Sequence, residues 1–186
     1  MDRRQRKTRA AIFGAFTELL ARESYSRITI SEIIEAADVG RTTFYAHFET
    51  KDDLLRALWK EIFDHVLSRE LTGEATHDFS REGSLGAAVT HVLYHLRDNR
   101  RYLQGLLSEG SEGTSVQYFK EYMAVLLEKY VREPPEGVPE DYVLNHLVCD
   151  FVETVRWWMR HPEYTPEEVC SFFLAAAPFL PDPAGT

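Results

Sequence analysis

Arg41, Thr42, Thr43, Tyr45 and His47 crowd into one short stretch and offer a guanidinium, three hydroxyls and an imidazole. These groups suit a nucleic-acid duplex. A guanidinium at Arg41 can make a paired contact to guanine, and hydroxyls and an imidazole can hydrogen-bond phosphate. To act together they need one face of a helix, with an apolar anchor opposite. Phe44 and Phe48, spaced one helical turn apart, supply that anchor. Lys51, at the start of the next helix, adds a point charge for the backbone. The preceding element is marked by Thr29 and Glu32, a capping box that predicts a helix starting near Ser31, with Ile33, Ile34 and Ala37 as its buried stripe. Thr29 has two assignments here, cap and phosphate contact. Asp38-Val39-Gly40 should end this helix, because Asp favours turns and Gly tolerates a positive φ, with Val39 plugging the corner. Two short helices across a tight turn, the second polar on one face, form the layout of a DNA-reading helix-turn-helix.

From Arg9-Ala10-Ala11-Ile12 through Thr43-Phe44-Tyr45-Ala46-His47-Phe48-Glu49-Thr50-Lys51-Asp52-Asp53-Leu54-Leu55 the chain resembles the N-terminal domain of the tetracycline-repressor (TetR) family of bacterial transcriptional regulators. The signature is Thr-Phe-Tyr, an aromatic, a short gap, Lys and a Leu pair, and it covers roughly the first third of the chain. The resemblance implies an all-α protein: a three-helix DNA-binding head over 1–50, a linking fourth helix over 51–70, and a helical regulatory and dimerisation domain over 71–186. It also implies a homodimer on double-stranded DNA, repression at a palindromic operator, and a small-molecule inducer in many members. The stretch from Leu144 to Trp157-Trp158-Met159, with the start at Tyr164-Thr165-Pro166-Glu167-Glu168, resembles the C-terminal domain of one TetR subgroup.

Composition bears on this only when divided along the chain. The 186 residues carry a net charge of −9 and 44% hydrophobic residues, ordinary for a globular protein. Residues 1 to 60 hold 11 Lys and Arg against 9 Asp and Glu, a balance of +2, so residues 61 to 186 hold 10 against 21, a balance of −11. Acid lies in the body. Arg3, Arg4, Arg6, Lys7 and Arg9 concentrate positive charge at the N-terminus, suited to phosphate, while an acidic body would be repelled by DNA and leave the head to face it. No apolar run approaches a membrane span, and the N-terminus leads into an amphipathic helix and not the apolar core of a signal peptide; cytoplasmic residence is the expectation. Cys149 and Cys170 follow no metal or redox spacing and read as small buried hydrophobes.

Periodicity extends helices through the rest of the chain. The first should run from about Thr8 to Arg22 with Ile12, Phe13, Phe16, Leu19 and Leu20 buried. A strong fourth begins at Thr50, capped with Asp53, and continues through Leu54, Leu55, Leu58, Ile62, Val66 and Leu67. Leu71 to Ser84 breaks the pattern and marks a domain boundary. Leu85, Val89, Val92, Leu93 and Leu96 make the next stripe. A short segment from Arg100 to Leu107 follows, weakened by Gly105 and Gly110. Gly113 to Val131, Asp141 to Arg160 and a helix opening at Thr165-Pro166 complete the series.

The last two helices carry more apolar surface than one partner covers, which points to a second copy. Leu144, Leu147, Phe151, Val155 and Trp158 on one, with Val169, Phe172, Phe173 and Ala176 on the other, are the candidate interface; in the TetR family such helices pair in a four-helix bundle. Tyr94, Tyr102, Tyr118, Tyr122, Trp157 and Trp158 are candidates for lining an apolar ligand pocket, although aromatics at helical spacing also suit a core. His91 with His95, and His146 with Asp150, share helix faces, but spacing fixes no third ligand; no metal and no cofactor are expected. The chain has no phosphate-cradling Gly loop, nucleophile elbow or zinc-protease helix, so no catalytic residue is assigned. The rival to a regulator is a helical protein-docking module or co-activator that retains a helix-turn-helix.

Overall fold

Arg, Lys and Gln are good helix formers, and the first helix extends through them: α1 spans Arg3–Leu20, starting earlier than Thr8. The computed structural model describes residues 3–67, 84–107, 113–130, 134 and 136–177, leaving aside the side chains of 64–67. Among the described residues there are helices and no strand. After α1 come α2 (Ile30–Ala36), α3 (Arg41–Tyr45), α4 (Lys51–Leu67), α5 (Leu85–Asp98), α6 (Arg100–Leu107), α7 (Thr114–Leu127), α8 (Glu140–Arg160) and α9 (Pro166–Ala176). No described helix is long and apolar enough to cross a membrane.

The chain divides into two compact units. The first comprises residues 1–61 and 99–117, the second residues 62–98 and 118–186. Residues 99–117, expected in the regulatory domain over 71–186, therefore group with the head. The boundary read at Leu71 to Ser84 lies, apart from Ser84, outside the described residues.

In the first unit, α1 packs on both α2 and α6. Its stripe buries Ile12, Phe13, Phe16 and Leu20 together with Ala15, while Leu19 is half-buried. Ile28, Ile33, Phe44, Leu54, Leu55 and Trp59 complete a core in which each large side chain contributes about 1.5–3 kcal/mol relative to exposure. Thr50 caps α4: its hydroxyl accepts the Asp53 N–H at 3.0 Å, and its own N–H donates to the Asp53 carboxylate at 3.0 Å.

In the second unit, α9 packs on α5 and α8. Rings run through it: Phe63 lies 5.7 Å from Phe119, Phe119 6.1 Å from Phe151, and Phe151 5.1 Å from Phe173. α9 starts as its sequence requires, with Thr165 accepting the Glu168 N–H at 3.3 Å, Thr165 N–H donating to Glu168 at 2.8 Å, and Pro166 in the first turn. The Trp158 indole N–H donates to the Tyr164 carbonyl at 2.8 Å, tying the end of α8 to the approach to α9.

Candidate DNA-binding surface

The turn between α2 and α3 is built by hydrogen bonds at the end of α2. The Asp38 N–H donates to the Glu35 carbonyl at 3.2 Å and the Val39 N–H to the Ile34 carbonyl at 3.2 Å, the pair of bonds of a Schellman motif. That motif needs a positive φ, and Asp38 adopts it at 50°. This corrects the expectation for Gly40, which is extended at φ −73° and ψ 151° and serves as the N-cap of α3. Asp is one of the few non-glycine residues that enter the left-handed region routinely. Val39, read as the corner plug, is half-buried.

Thr29 closes a full capping box on α2. Its hydroxyl accepts the Glu32 N–H at 3.3 Å and donates to the Glu32 carboxylate at 2.6 Å, and its N–H donates to the same carboxylate at 2.7 Å. The bonds from the Thr29 hydroxyl and amide hold the Glu32 carboxyl below its ordinary value.

α3 is amphipathic over a single turn. Phe44 is buried and lies 6.1 Å from Phe48, which meets Phe13 of α1 edge-on at 5.6 Å. On the other side Arg41, Thr42, Thr43 and Tyr45 are all exposed. The two aromatic anchors thus hold α3 on the core and leave these four side chains exposed. His47 is half-buried and tilted against Phe48, 6.4 Å between centroids, so only part of its ring faces outward.

Two cations point elsewhere. Lys51 does not project its ammonium: Nζ donates to the carbonyls of Tyr25 at 2.9 Å and Ile28 at 2.6 Å and sits 4.2 Å from the Tyr25 ring centroid. Burial pushes its pKa down, opposed by Asp52 and Glu32. An ammonium with two carbonyl acceptors would lose them on turning outward. Arg9 is half-buried, with its guanidinium 4.9 Å from the Phe13 centroid and 5.1 Å from that of Phe48. Arg3, Arg4, Arg6 and Lys7 remain exposed along the first turns of α1. Sequence reasoning missed Ser31, whose hydroxyl accepts from the Arg41 guanidinium at 3.5 Å; only placing both helices shows them adjacent.

A helix-turn-helix with an outward polar row on its second helix is the arrangement of a duplex reader. A family model described as bacterial regulatory proteins, tetR family, matches residues 12–58, and one described as a transcriptional regulator C-terminal region matches residues 84–176. The chain belongs to the TetR family of transcriptional regulators. A TetR transcriptional regulator from Streptococcus agalactiae 2603V is 30% identical to it, with a TM-score of 0.72 over 95% of this chain and 96% of that one. An uncharacterized helix-turn-helix-type transcriptional regulator of Haemophilus influenzae is 27% identical over 146 residues, 78% of this chain and 70% of that protein. The uncharacterized regulator YxbF of Bacillus subtilis is 39% identical over 71 residues, 36% of this chain and only 19% of the relative's length. TetR proteins regulate transcription and bind DNA; the family is not one of enzymes.

The regulator's second unit sorts the remaining candidates. Leu147, Phe151, Val155, Trp158, Val169 and Phe173 are buried within the chain, which corrects their placement on a face for a second copy: packing of α5, α8 and α9 already removes them from water. Leu144 is half-buried, and Phe172 and Ala176 are exposed. An open groove of about 620 Å³ lies between α8 and α9, lined by Trp157, Tyr164, Phe172, Phe173 and Ala176 with Asp150 and Glu153. Trp157 and Tyr164 stack at 5.3 Å, and Phe172 meets both edge-on at 6.2 and 5.4 Å.

The pocket candidates sit in different settings. Trp157 belongs to that groove. The Tyr94 hydroxyl donates to Glu167 at 2.5 Å, which raises its pKa. Tyr122 stacks on Phe63 at 5.2 Å, and Tyr118, one turn earlier in α7, is half-buried. Tyr102 lies in the first unit, its hydroxyl donating to Asn99 at 2.7 Å, and burial pushes its pKa up. Of the paired ligands, His91 and His95 bring their Nε2 atoms within 2.9 Å, and His146 lies 3.6 Å from Asp150. No group of three or more metal-ligating side chains occurs among the described residues. Cys170 is buried, its thiol pushed up by burial, and Cys149 is half-buried.

Proposed function

We propose that this regulator acts in the cytoplasm as a homodimer on a palindromic operator, represses by occupying it, and is released by a small-molecule inducer. The observation that carries the DNA reading is the outward row Arg41, Thr42, Thr43 and Tyr45 standing over the buried Phe44. Arg41 is assigned the bidentate contact to guanine; Thr42, Thr43 and Tyr45 are assigned phosphate and base-edge contacts, with Thr29 and the outer edge of His47 on flanking phosphates. The exposed Arg3 to Lys7 charges on α1 add counterion release. A single five-residue reading helix contacts few base pairs, so two copies placing their α3 helices roughly 34–36 Å apart read one full site.

The homodimer is supported by the α8–α9 groove, where Phe172, Trp157 and Tyr164 form an aromatic patch of the kind that marks a protein interface. Repression and release by an inducer rest on family membership. The test is selection of duplexes from a random pool by the purified protein, followed by titration with wild type and the Arg41→Ala, Tyr45→Ala double variant. Enrichment of a palindrome that the variant no longer binds supports this function. No enrichment at low salt shifts the reading to the protein-docking module.

A further inference from the structure

His91 and His95 lie one helical turn apart on α5, in the second unit, and neither the DNA-reading face nor the α8–α9 groove uses them. Spacing alone makes such a pair ordinary. What the fold adds is how the rings stand: the two Nε2 atoms are 2.9 Å apart while the ring centroids are 4.7 Å apart, with 53° between the planes. The rings therefore meet at an angle instead of end to end, and bring two imidazole nitrogens together. His91 is buried, at 4% exposed, while His95 is half-buried, so one member of the pair reaches water.

A single proton can bridge the two nitrogens, one Nε2–H donating to the other. The same geometry suits a metal ion. With the nitrogens 2.9 Å apart, an ion about 2.0–2.1 Å from each subtends an angle of about 90° between them. A tetrahedral ion would hold them about 3.3–3.4 Å apart. A right angle belongs to square-planar, tetragonal or octahedral coordination, and with imidazole donors it favours Cu²⁺ or Ni²⁺ over Zn²⁺. Mg²⁺ and Ca²⁺ are disfavoured by the donor set, since both take oxygen ligands. Coordination needs both Nε2 lone pairs, so the ring that donates its Nε2 proton in the metal-free pair must hold that proton at Nδ1 instead.

Charge favours a cation here. Residues 61 to 186 hold 10 Lys and Arg against 21 Asp and Glu, a balance of −11 whose field attracts positive ions. Arg97, the one Arg of α5, is engaged by Asp98 at 3.5 Å and lies 4.5 Å from the Tyr94 ring centroid. The other paired candidate differs: His146 and Asp150 are both exposed, 3.6 Å apart, and pair with each other as base and acid.

We propose that His91 and His95 form a binding site for one Cu²⁺ or Ni²⁺ ion, held at a right angle by both Nε2 atoms. No group of three or more metal-ligating side chains occurs among the described residues, so the pair supplies two ligands and water fills the other positions. This site stands independently of α3 as the DNA-reading helix.

The test uses the full chain without an added histidine tag, stripped of metal and titrated calorimetrically with Ni²⁺. One Ni²⁺ per chain should bind, and His91→Gln or His95→Gln should each weaken binding about a hundredfold, because losing one ligand removes the chelate. His146→Gln, at the exposed pair on α8, should leave it unchanged. Weakening by His146→Gln with full binding in the two α5 variants would place the ion elsewhere and overturn the proposal. Because His91 is buried and its variant can fail to fold, wild type loaded with Cu²⁺ is also read by electron paramagnetic resonance, where splitting from two imidazole nitrogens is expected. Splitting from one nitrogen or none refutes the site. Zn²⁺ displacing Ni²⁺ in direct competition would overturn the right-angle geometry. If no Ni²⁺ binds, the pair holds only a proton and the proposal fails, while the DNA-reading assignment is untouched.

Discussion

α3 and α9 each place two aromatic residues side by side and treat them oppositely. In α3, Phe44 is 0% exposed and Tyr45 45%; in α9, Phe173 is 2% exposed and Phe172 43%. The inward rings do the same work, anchoring a helix on its unit's core. The outward rings differ in company. Tyr45 stands with Arg41, Thr42 and Thr43, all rich in hydrogen-bonding groups, whereas Phe172 stands against Trp157, Tyr164 and Ala176. One surface is rich in hydrogen-bonding groups and the other is apolar. What an exposed aromatic does is therefore decided by its neighbours on the surface, not by its exposure.

The comparison is broken most strongly from the inside. Phe44→Ala and Phe173→Ala should each cost about 3–5 kcal/mol through lost burial and an unfilled cavity, seen as a lowered midpoint in urea unfolding. If either left stability intact, that ring would not be the anchor assigned to it. At the α9 surface, Phe172→Glu should weaken self-association by about 2 kcal/mol or more while each copy keeps its helicity, measured by sedimentation and circular dichroism. Tyr45→Glu should leave association unchanged and abolish operator binding; a variant that dissolved the dimer would merge the two surfaces and undo the contrast.

Finer cuts sharpen it. Arg41→Ala should lose about 1–3 kcal/mol of operator affinity and relax the preference at one base pair, read by titration against single-base operator variants. Thr165→Ala should cost about 1 kcal/mol of stability by removing the α9 cap, with operator affinity per folded dimer unchanged. The smallest effect concerns Glu32. Its pKa is lowered in the fold, so its contribution is fully present above the unfolded carboxylate value near 4.5 and is lost as pH falls through the folded value beneath it. Thr29→Val should flatten that acid dependence in pH-resolved unfolding, and an unaltered profile would locate it in other carboxylates.

Much of the fold is legible along the chain because its signals are local. The capping pairs Thr29 with Glu32 and Thr50 with Asp53 each join residues within one helical turn and close as read, and the cap read at Thr165 closes through Glu168. The α3 row was equally legible, since Phe44 and Phe48 alone orient that turn and leave Arg41, Thr42, Thr43 and Tyr45 outward. The α2–α3 turn was legible as a turn but not in detail: Asp38 and Gly40 are both compatible with positive φ, and only the closing hydrogen bonds select Asp38.

What the linear chain determined by itself is the run of helices, the caps at Thr29, Thr50 and Thr165 and the polar residue types of α3, because these depend on interactions spanning three or four residues. Tertiary structure alone decided which apolar residues of α8 and α9 are core and which remain at the surface, since periodicity marks an apolar face without saying what covers it. It alone turned Lys51 inward, where the carbonyls of Tyr25 and Ile28 await its ammonium. It also reversed the meaning of Gly105. By propensity a glycine weakens a helix; in the fold its missing side chain lets α6 lie against the Leu20 and Glu23 carbonyls, a contact between segments some eighty residues apart that no local pattern encodes.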